Sequence, residues 1–396
     1  MVQAQAETRQ SVANPFDDLA LDRLRRRTSA KWRMYPEDVL PLWVAEMDAA
    51  VAQCVIEAVH DALLMGDTGY PAGHAYAEAM AGFGQERWGW TFDPETTAKV
   101  TDVITGILEI VRVTSADGEA IVLTPPVYPP FYMIAKTLGR PVVEAPLTSD
   151  GRIDPETLER AFVAATSGGQ AATLILSSPH NPTGTVHTRE ELETVARLAR
   201  QHGVRVIADE IHAPLQMPTS TFVPYLDAAG TEPDFSVMSA SKGWNLAGFK
   251  AALVIPGAEA TAETASLAGR AGNHPGHIGL IAHTAAITHG GGWLDAAIAG
   301  IDANRMALTG MLAEHLPGTS YRPPESTYLA WVDCRSLGLG DDPAEVFLEQ
   351  GRVALSSGVP FGPGGAGHVR VNLATSQAVL TEALRRMASV LPVAAV

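Results

Sequence analysis

One lysine lies between hydroxyl groups and glycines in the sequence Ser239-Ala240-Ser241-Lys242-Gly243-Trp244-Asn245-Leu246-Ala247-Gly248-Phe249-Lys250. It follows the apolar run Phe235-Ser236-Val237-Met238, which is typical of a short buried strand. A lysine in this position can condense with an aldehyde to form a Schiff base. Ser239, Ser241 and Lys250 supply hydroxyl groups and charge that could bind an anion. The alternative is a surface lysine in a serine- and glycine-rich loop, so the choice depends on motifs elsewhere in the chain.

The composition indicates a folded protein with a large core. The chain has 396 residues, of which 46% are hydrophobic and 18% charged, and its net charge is −16. Such a chain is long enough for two or three compact units, and its apolar content argues against disorder. The negative charge disfavours binding to nucleic acid or to an anionic membrane. One basic segment, residues 23–33, is the exception, and we interpret it as a solvated helix face or a subunit contact.

The cysteines and the apolar runs predict a cytoplasmic protein. Cys54 and Cys334 are far apart in the sequence, so they predict neither a disulfide framework nor a zinc site. The first residues lack the apolar core of a signal peptide. The longest uncharged run, Ala271 to Leu294, contains a proline, four histidines and many glycines, and is too polar to cross a membrane cheaply. We expect it to form a buried helix and a loop.

Short strands rich in Val, Ile and Leu alternate with helices through the middle of the chain. This alternation predicts an α/β fold in which helices cover both faces of a mainly parallel sheet. The last hundred residues follow a different pattern, which predicts a smaller α+β domain. The expected organisation is a disordered arm at 1–15, a segment at 16–50 that joins the small domain, a large domain at 51–290 and the small domain at 291–396.

Two further polar motifs follow predicted strands. Asn181 lies in Ser177-Ser178-Pro179-His180-Asn181-Pro182-Thr183-Gly184, where two prolines and a glycine restrict the backbone and make the amide a directed donor. Asp209 ends the strand before Glu210-Ile211-His212. An acid at a buried strand end is costly unless a cation or a donor faces it. The alternative roles for Asp209 are a helix cap or a member of a buried polar network.

Because ligands bind at the carboxyl ends of strands in such sheets, these residues are expected to meet. Together they fit one cofactor, pyridoxal 5′-phosphate. Lys242 would bond to its aldehyde and Asp209 would face its pyridine nitrogen, with Asn181 and His212 near the ring oxygen O3′. Tyr128, held by prolines, would stack on the ring. The phosphate would lie at a helix start, where backbone N–H groups favour an anion, with a cup formed by Thr105, Gly106, Ile107, Ser239, Ser241 and Lys250.

These motifs resemble those of the fold-type I, aspartate-aminotransferase-like enzymes that use pyridoxal phosphate. Within that superfamily the chain is similar to the cystathionine β-lyase branch, the MalY/PatB group, from about Phe16 to the C-terminus. The matching stretches are Asn181-Pro182-Thr183-Gly184, Asp209-Glu210-Ile211-His212, Ser239 to Lys250, Trp43-Val44-Ala45-Glu46-Met47-Asp48, Tyr128-Pro129-Pro130-Phe131, Ser326 to Trp331 and Val369-Arg370-Val371-Asn372. The resemblance implies a seven-stranded type of sheet in the large domain.

The resemblance also implies roles for individual residues. Arg370 would bind the substrate α-carboxylate, with Asn181 and Ala45 beside it. Tyr70 would reach across the interface of a homodimer and act in the neighbouring site, together with the catalytic Lys242 and Asp209. One departure from the family is the pair Gly243-Trp244 after the lysine, where relatives usually carry phenylalanine at the second position, and the larger ring bears on the width of the pocket.

The expected activity is α,β-elimination on a cysteine S-conjugate such as L-cystathionine. His212 favours this reaction, because the transaminases of the superfamily commonly carry tyrosine there. Two alternatives stay open: an aminotransferase that uses the same residues, and a regulatory or partner-binding protein with a vestigial site. The spacing of His274, His277, His283 and His289 does not suit one helix face, so we expect no metal site.

Overall fold

The computed structural model describes residues 13–271 and 275–391. Most of the predicted N-terminal arm, and His274, therefore lie outside the described residues. In chain order, the strands of the described part are β1 (Leu40–Pro41), β2 (Ala98–Val100), β3 (Ala120–Leu123), β4 (Val142–Glu144), β5 (Ala172–Ser177), β6 (Val204–Asp209), β7 (Phe235–Met238), β8 (Ala252–Pro256), β9 (Ser320–Tyr321), β10 (Leu329–Asp333), β11 (Val353–Ala354), β12 (Ser356–Ser357) and β13 (His368–Asn372).

The helices alternate with these strands through the first two thirds of the chain. In chain order they are α1 (Leu21–Leu24), α2 (Ala30–Arg33), α3 (Gln53–Met65), α4 (Ala75–Trp88), α5 (Val103–Thr114), α6 (Pro130–Thr137), α7 (Pro155–Ala165), α8 (Arg189–His202), α9 (Thr261–Ala271), α10 (His277–His289), α11 (Gly291–His315), α12 (Pro343–Glu349) and α13 (Gln377–Ala388).

Seven strands form the central sheet, in the order β2-β8-β7-β6-β5-β3-β4. All neighbours from β7 to β4 pair in parallel, whereas β8 runs antiparallel to both β7 and β2. The predicted α/β fold with a mainly parallel seven-stranded sheet is therefore confirmed. The exception is β8, which returns directly from the lysine loop and needs no crossover helix.

Both faces of this sheet are buried, which explains why its strands are apolar at successive positions. In β3, Ile121 and Leu123 belong to one buried cluster, while Ala120 and Val122 belong to another. Side chains alternate between the two faces of a strand, so a strand covered on both sides needs apolar residues throughout. Helices α5, α6 and α9 contribute to the first cluster, and α7 and α8 contribute to the second.

The C-terminal part has a sheet of its own, with the strand order β12-β13-β10-β9 and antiparallel pairing. The N-terminal segment reaches this region, because β1 pairs in parallel with β11. The domain limits given by the sequence stay predictions. Among the described residues, none of the helices has the length and apolar character that crossing a membrane would require.

Part of the basic segment is structural. The ammonium group of Lys31 is buried and lies 2.8 Å from the carboxylate of Asp48. Arg27 donates to the carbonyl oxygens of Met47 and Ala49 at 2.9 and 2.5 Å. These two cations therefore hold the segment that leads into the site, and are not part of a solvated face.

Gly184, which ends the Asn-Pro-Thr-Gly motif, lets this loop pack closely against residues 324–326. Its φ is +69°, and a Cβ atom there would collide with the Cβ of Pro324 and lie 2.9 Å from its Cα. We therefore predict that Gly184→Ala lowers the free energy of unfolding by about 2–4 kcal/mol, since it adds overpacking to backbone strain.

The matched control is Gly168→Ala. Gly168 also has a positive φ, +83°, but no atom lies within 4 Å of a Cβ built there. Gly168→Ala should therefore lower the free energy of unfolding only by the backbone strain, about 1–2 kcal/mol. Equal losses in urea unfolding of the two variants would contradict the packing explanation.

Candidate active site

Three adjacent parallel strands deliver the predicted residues to one edge of the central sheet. Ser177 ends β5 and pairs in register with Asp209, which ends β6. Asp209 in turn pairs with Val237 of β7, and Lys242 follows the end of β7 by four residues. The carboxyl ends of parallel strands share one edge, so the fold itself brings these side chains together.

Lys242 lies half-buried, with its amine directed at the backbone. Its Nζ atom donates to the carbonyl oxygen of Ala45 at 2.9 Å. Burial, together with the nearby charge of Arg370, lowers the pKa of Lys242 to about 8, although Asp209 acts in the opposite direction. A substantial fraction of this amine is therefore unprotonated near neutral pH, as a nucleophile or a base requires.

Asp209 and Glu210 point to opposite sides of the strand end. Asp209 is 6% exposed and accepts from the backbone N–H of Ile211 at 3.1 Å. Burial raises its pKa to about 7, and Lys242 partly offsets this effect. Glu210 accepts instead from Ser236 and from the backbone of Tyr225. Of these two acids, only Asp209 lines the cavity described below.

Arg370 is buried and bonds to Asn181. Its Nη1 donates to Asn181 Oδ1 at 3.0 Å, and its Nη2 donates to the carbonyl oxygen of Trp43 and to Ser356 Oγ at 3.2 and 3.0 Å. Burial lowers the pKa of Arg370 to about 10. Within the part of the chain that the structure describes, this guanidinium forms no ion pair, so its positive charge can serve an incoming anion.

Two asparagines that the sequence analysis missed fix the backbone on which Lys242 rests. Asn245 accepts from the N–H of Met47 at 2.8 Å and donates to its carbonyl oxygen at 3.0 Å. Asn372 donates to the carbonyl oxygens of Val44 and Glu46, both at 2.7 Å. No local sequence signal could have revealed these contacts, because Met47 and Asn245 are 198 residues apart.

Most of the predicted residues line one cavity of about 420 Å³, which suits a ligand of cofactor size. The predicted residues in its lining are Ala45, Thr105, Tyr128, Asn181, Asp209, His212, Ser241, Lys242 and Lys250. His212 is buried, and its Nδ1 atom has no partner among the described residues. Burial also lowers its pKa well below the usual value, so the ring is neutral.

The predicted helix start at Thr105-Gly106-Ile107 needs correction. Helix α5 begins at Val103, and Asp102 caps it by accepting from the N–H of Thr105 at 2.8 Å. Gly106 and Ile107 face the core, where a Cβ on Gly106 would lie 3.1 Å from Val100 and 3.2 Å from Val237. The glycine therefore permits close packing of helix and sheet, and the cavity is lined by residues 102–105.

Asp102 also forms an ion pair with Lys250, at 2.8 Å. Asp102 was not among the predicted site residues, although an aspartate directly before a helix is a capping signal. Ser239 differs from the prediction as well. Its hydroxyl donates to the carbonyl oxygen of Ala251 at 2.6 Å and accepts from the N–H of Ser241 at 3.1 Å, and the residue is buried. Ser239 therefore shapes the lysine loop and does not line the cavity.

Two aromatic residues lie away from the cavity. The ring of Trp244 is fully buried, donates to Gly290 and packs against Phe83, so it does not narrow the pocket. Tyr70 is 92% exposed on the single chain and does not line the cavity. Within the described ranges, no group of three or more His, Cys, Asp or Glu side chains is placed to hold a metal ion.

Comparison with known proteins agrees with this geometry. The sequence model described as "Aminotransferase class I and II" matches residues 37–387. A Mycobacterium leprae protein, named provisionally as a cystathionine beta-lyase, is 51% identical over 95% of this chain and 98% of its own length. Cystathionine beta-lyase PatB of Bacillus subtilis is 34% identical over 92% of this chain and 96% of its own length. The PLP-bound C–S lyase of Staphylococcus hominis has a TM-score of 0.88 at 27% identity, covering 96% and 99% of the two chains.

The fold and the lysine-centred cavity define an α/β protein of the aminotransferase type. The chain belongs to the aminotransferase class I and II family. The predicted resemblance to cystathionine β-lyases within that family is confirmed by the relatives that carry this name.

The environment of Lys242 predicts an unusual pH dependence for its chemical reactivity. In the protein without added cofactor, its acylation should reach half its maximal rate near pH 8, because only the unprotonated amine reacts. Arg370→Gln should move this midpoint to higher pH, since it removes a neighbouring positive charge. Competitive labelling with mass spectrometry measures both midpoints, and the exposed Lys136 serves as the internal reference. A Lys242 midpoint that coincides with that of Lys136 would contradict the described environment.

Proposed function

We propose that this chain is a pyridoxal-phosphate-dependent carbon–sulfur β-lyase. It would cleave a cystathionine-like cysteine S-conjugate by α,β-elimination, giving a thiol, pyruvate and ammonia. The observation that carries the proposal is that Lys242, Asp209, Asn181 and His212 line one cavity, with Arg370 bonded to Asn181 at its wall. The predicted cofactor and enzyme class agree with those named for relatives, which include a PLP-bound C–S lyase and cystathionine beta-lyases.

The residues present fit pyridoxal phosphate. His212 is buried and its Nδ1 has no partner in the described part of the chain, so this atom and the amide of Asn181 can serve the ring oxygen, and Tyr128 lines the same cavity. The N-terminal residues of α5, with Ser241 and Lys250, can hold the phosphate. Asp209 suits a protonated pyridine nitrogen, because a buried carboxylate is stabilised by a facing cation, which would also lower its raised pKa.

The roles of the protein groups follow from their positions. When bound, the cofactor supplies an electron sink for the pair released at the substrate Cα. Lys242 Nζ takes the Cα proton, for which its lowered pKa suits it. The electron pair then forms the Cα–Cβ double bond as the Cβ–S bond breaks, and the sulfur leaves with its pair and is protonated to the thiol. Water hydrolyses the remaining enamine to pyruvate and ammonia.

Arg370 is the proposed anchor for the substrate α-carboxylate. Its guanidinium is buried, its existing partners are neutral, and a planar guanidinium binds a carboxylate through two parallel hydrogen bonds. Asn181 and Ala45 line the same cavity, where Asn181 accepts a bond from Arg370 and Ala45 accepts one from Lys242.

Aminotransferases of the family use the same groups, so the reaction type is the point to be tested. His212 supports elimination, since the resemblance assigns histidine to the lyase branch at this position. The complete set of Lys242, Asp209 and Arg370 argues against a vestigial site. A purified protein that stays colourless even after pyridoxal phosphate is added would support that alternative instead.

The decisive assay supplies L-cystathionine and follows pyruvate and thiol together. Both should appear at equal rates, with or without an added 2-oxo acid. Lys242→Ala should lower the rate by about 1,000-fold or more, because it removes the base. The exposed Lys136→Ala is the matched control and should retain the rate. Transfer of the amino group to the 2-oxo acid without release of thiol would identify an aminotransferase instead.

We also propose a homodimer in which Tyr70 completes the site of the neighbouring chain. Tyr70 follows helix α3 by five residues, and three apolar side chains at the end of that helix are exposed: Leu63, Leu64 and Met65, at 56%, 73% and 76%. A groove of about 1060 Å³ lies along the same helix α3, with Val55, Ile56 and Val59 in its lining. A monomer seldom leaves an apolar surface of this kind open to water.

Mixing two inactive variants tests the shared site. Tyr70→Ala and Lys242→Ala should each be impaired, whereas their co-expression should restore about a quarter of wild-type activity, because half of randomly mixed dimers contain one intact site. The sum of the two separate activities is the reference. Activity no higher than that sum would mean that Tyr70 does not act in the partner's site.

A further inference from the structure

We propose that Asp342 selects cysteine S-conjugates whose sulfur substituent carries an ammonium group. The inference rests on the proposed function, because it takes Arg370 as the anchor of the α-carboxylate. It assigns a substrate class to a second cavity, which adjoins the one around Lys242.

This second cavity has a volume of about 590 Å³ and shares Tyr128 and Pro130 with the first. Arg370 lies in its wall, so a substrate anchored there has this space beside it. Aromatic side chains form much of the lining. Tyr35 and Trp43 meet edge to face at 5.9 Å, and Phe361 packs under the guanidinium of Arg370 at 5.2 Å.

The cavity carries unpaired charges of both signs. Among the described residues, Arg370 forms no ion pair, and the same is true of Asp342 and Glu345, the two acids in the lining. Arg370 is 6% exposed. No acid within that part of the chain neutralises it, and no cation there neutralises Asp342.

Asp342 differs from the other aspartates at helix starts. Asp102 and Asp154 each cap their helix by accepting a backbone N–H bond. Asp342 precedes α12 in the same way, yet its carboxylate makes no capping bond. One of its oxygens, Oδ1, is buried and has no hydrogen-bond partner among the described residues. The carboxylate is therefore not used to stabilise the fold.

A buried carboxylate oxygen without a donor is unfavourable, and an ammonium group would supply the missing donor and charge. The two unpaired charges of the cavity suit a ligand with a carboxylate at Arg370 and a cation at Asp342. The α-amino nitrogen of the substrate is engaged by the cofactor, so this cation must belong to the sulfur substituent. The aromatic residues Tyr35 and Trp43 in the same lining are also of the type that attracts a cation.

The test compares substrates that differ only in charge. S-(2-aminoethyl)-L-cysteine is matched with S-propyl-L-cysteine, and L-cystathionine with S-(3-carboxypropyl)-L-cysteine, which lacks only the distal ammonium group. The ammonium-bearing member of each pair should have a kcat/KM about tenfold higher in the wild type. Asp342→Asn should reduce this ratio to about one, because it keeps the shape and removes the charge.

Glu349→Gln is the matched control, since Glu349 is exposed on the same helix and does not line the cavity. It should leave the kcat/KM ratio of both substrate pairs unchanged.

The same compounds are titrated calorimetrically into Lys242→Ala protein loaded with pyridoxal phosphate, with and without Asp342→Asn. If no conjugate yields pyruvate, the proposed function fails, but the binding ratios still test Asp342. A ratio near one in the wild type, or a ratio that Asp342→Asn leaves unchanged, would overturn the inference.

Discussion

The site depends on the partial burial of one lysine amine next to a second cation, Arg370, that is buried. Burial lowers the pKa of both Lys242 and Arg370, and the charge of Arg370 lowers the pKa of Lys242 further. Of the two groups, the Lys242 amine is the one that loses its proton more readily, because its pKa falls to about 8. The guanidinium of Arg370 stays ionised. The carboxylate of Asp209, at the end of the neighbouring strand, partly offsets this lowering of the Lys242 pKa. The arrangement therefore provides a reactive amine and a fixed cation within one small space.

This arrangement is maintained by contacts between distant parts of the chain. Arg370 belongs to β13 of the C-terminal sheet, yet it bonds to Asn181 at the edge of the central sheet and to Trp43 of the N-terminal segment. Asn372, two residues later on the same strand, holds the backbone beside Ala45, and Ala45 accepts the bond from Lys242. The anchor and the reactive amine are thus linked through one backbone segment. A shift of that segment would move both groups.

The central sheet, and the candidate site at the carboxyl ends of its strands, could be predicted from the sequence. Apolar runs mark the buried strands, and polar residues follow them directly. Lys242, Asp209, Asn181 and His212 were found in this way, and the structure brings them to one cavity.

The resemblance to the family was needed to predict a role for Arg370, because an arginine on a strand carries no local sequence signal. The predictions misplace the start of α5 and the hydroxyl of Ser239, because these depend on caps and on contacts within a loop. Asn245 and Asn372 hold the backbone of residues 44–47 through contacts between residues about 200 to 330 positions apart, and such contacts are visible only in the folded chain.

The most direct test of this account identifies which residue becomes bonded to the cofactor. The protein is incubated with pyridoxal 5′-phosphate, reduced with borohydride, digested and mapped by mass spectrometry. The account predicts that the pyridoxyl group is found on Lys242, and that Asp209→Asn weakens the retention of the cofactor without moving the label. A label on Lys250 or on another lysine, or no label at all, would contradict it.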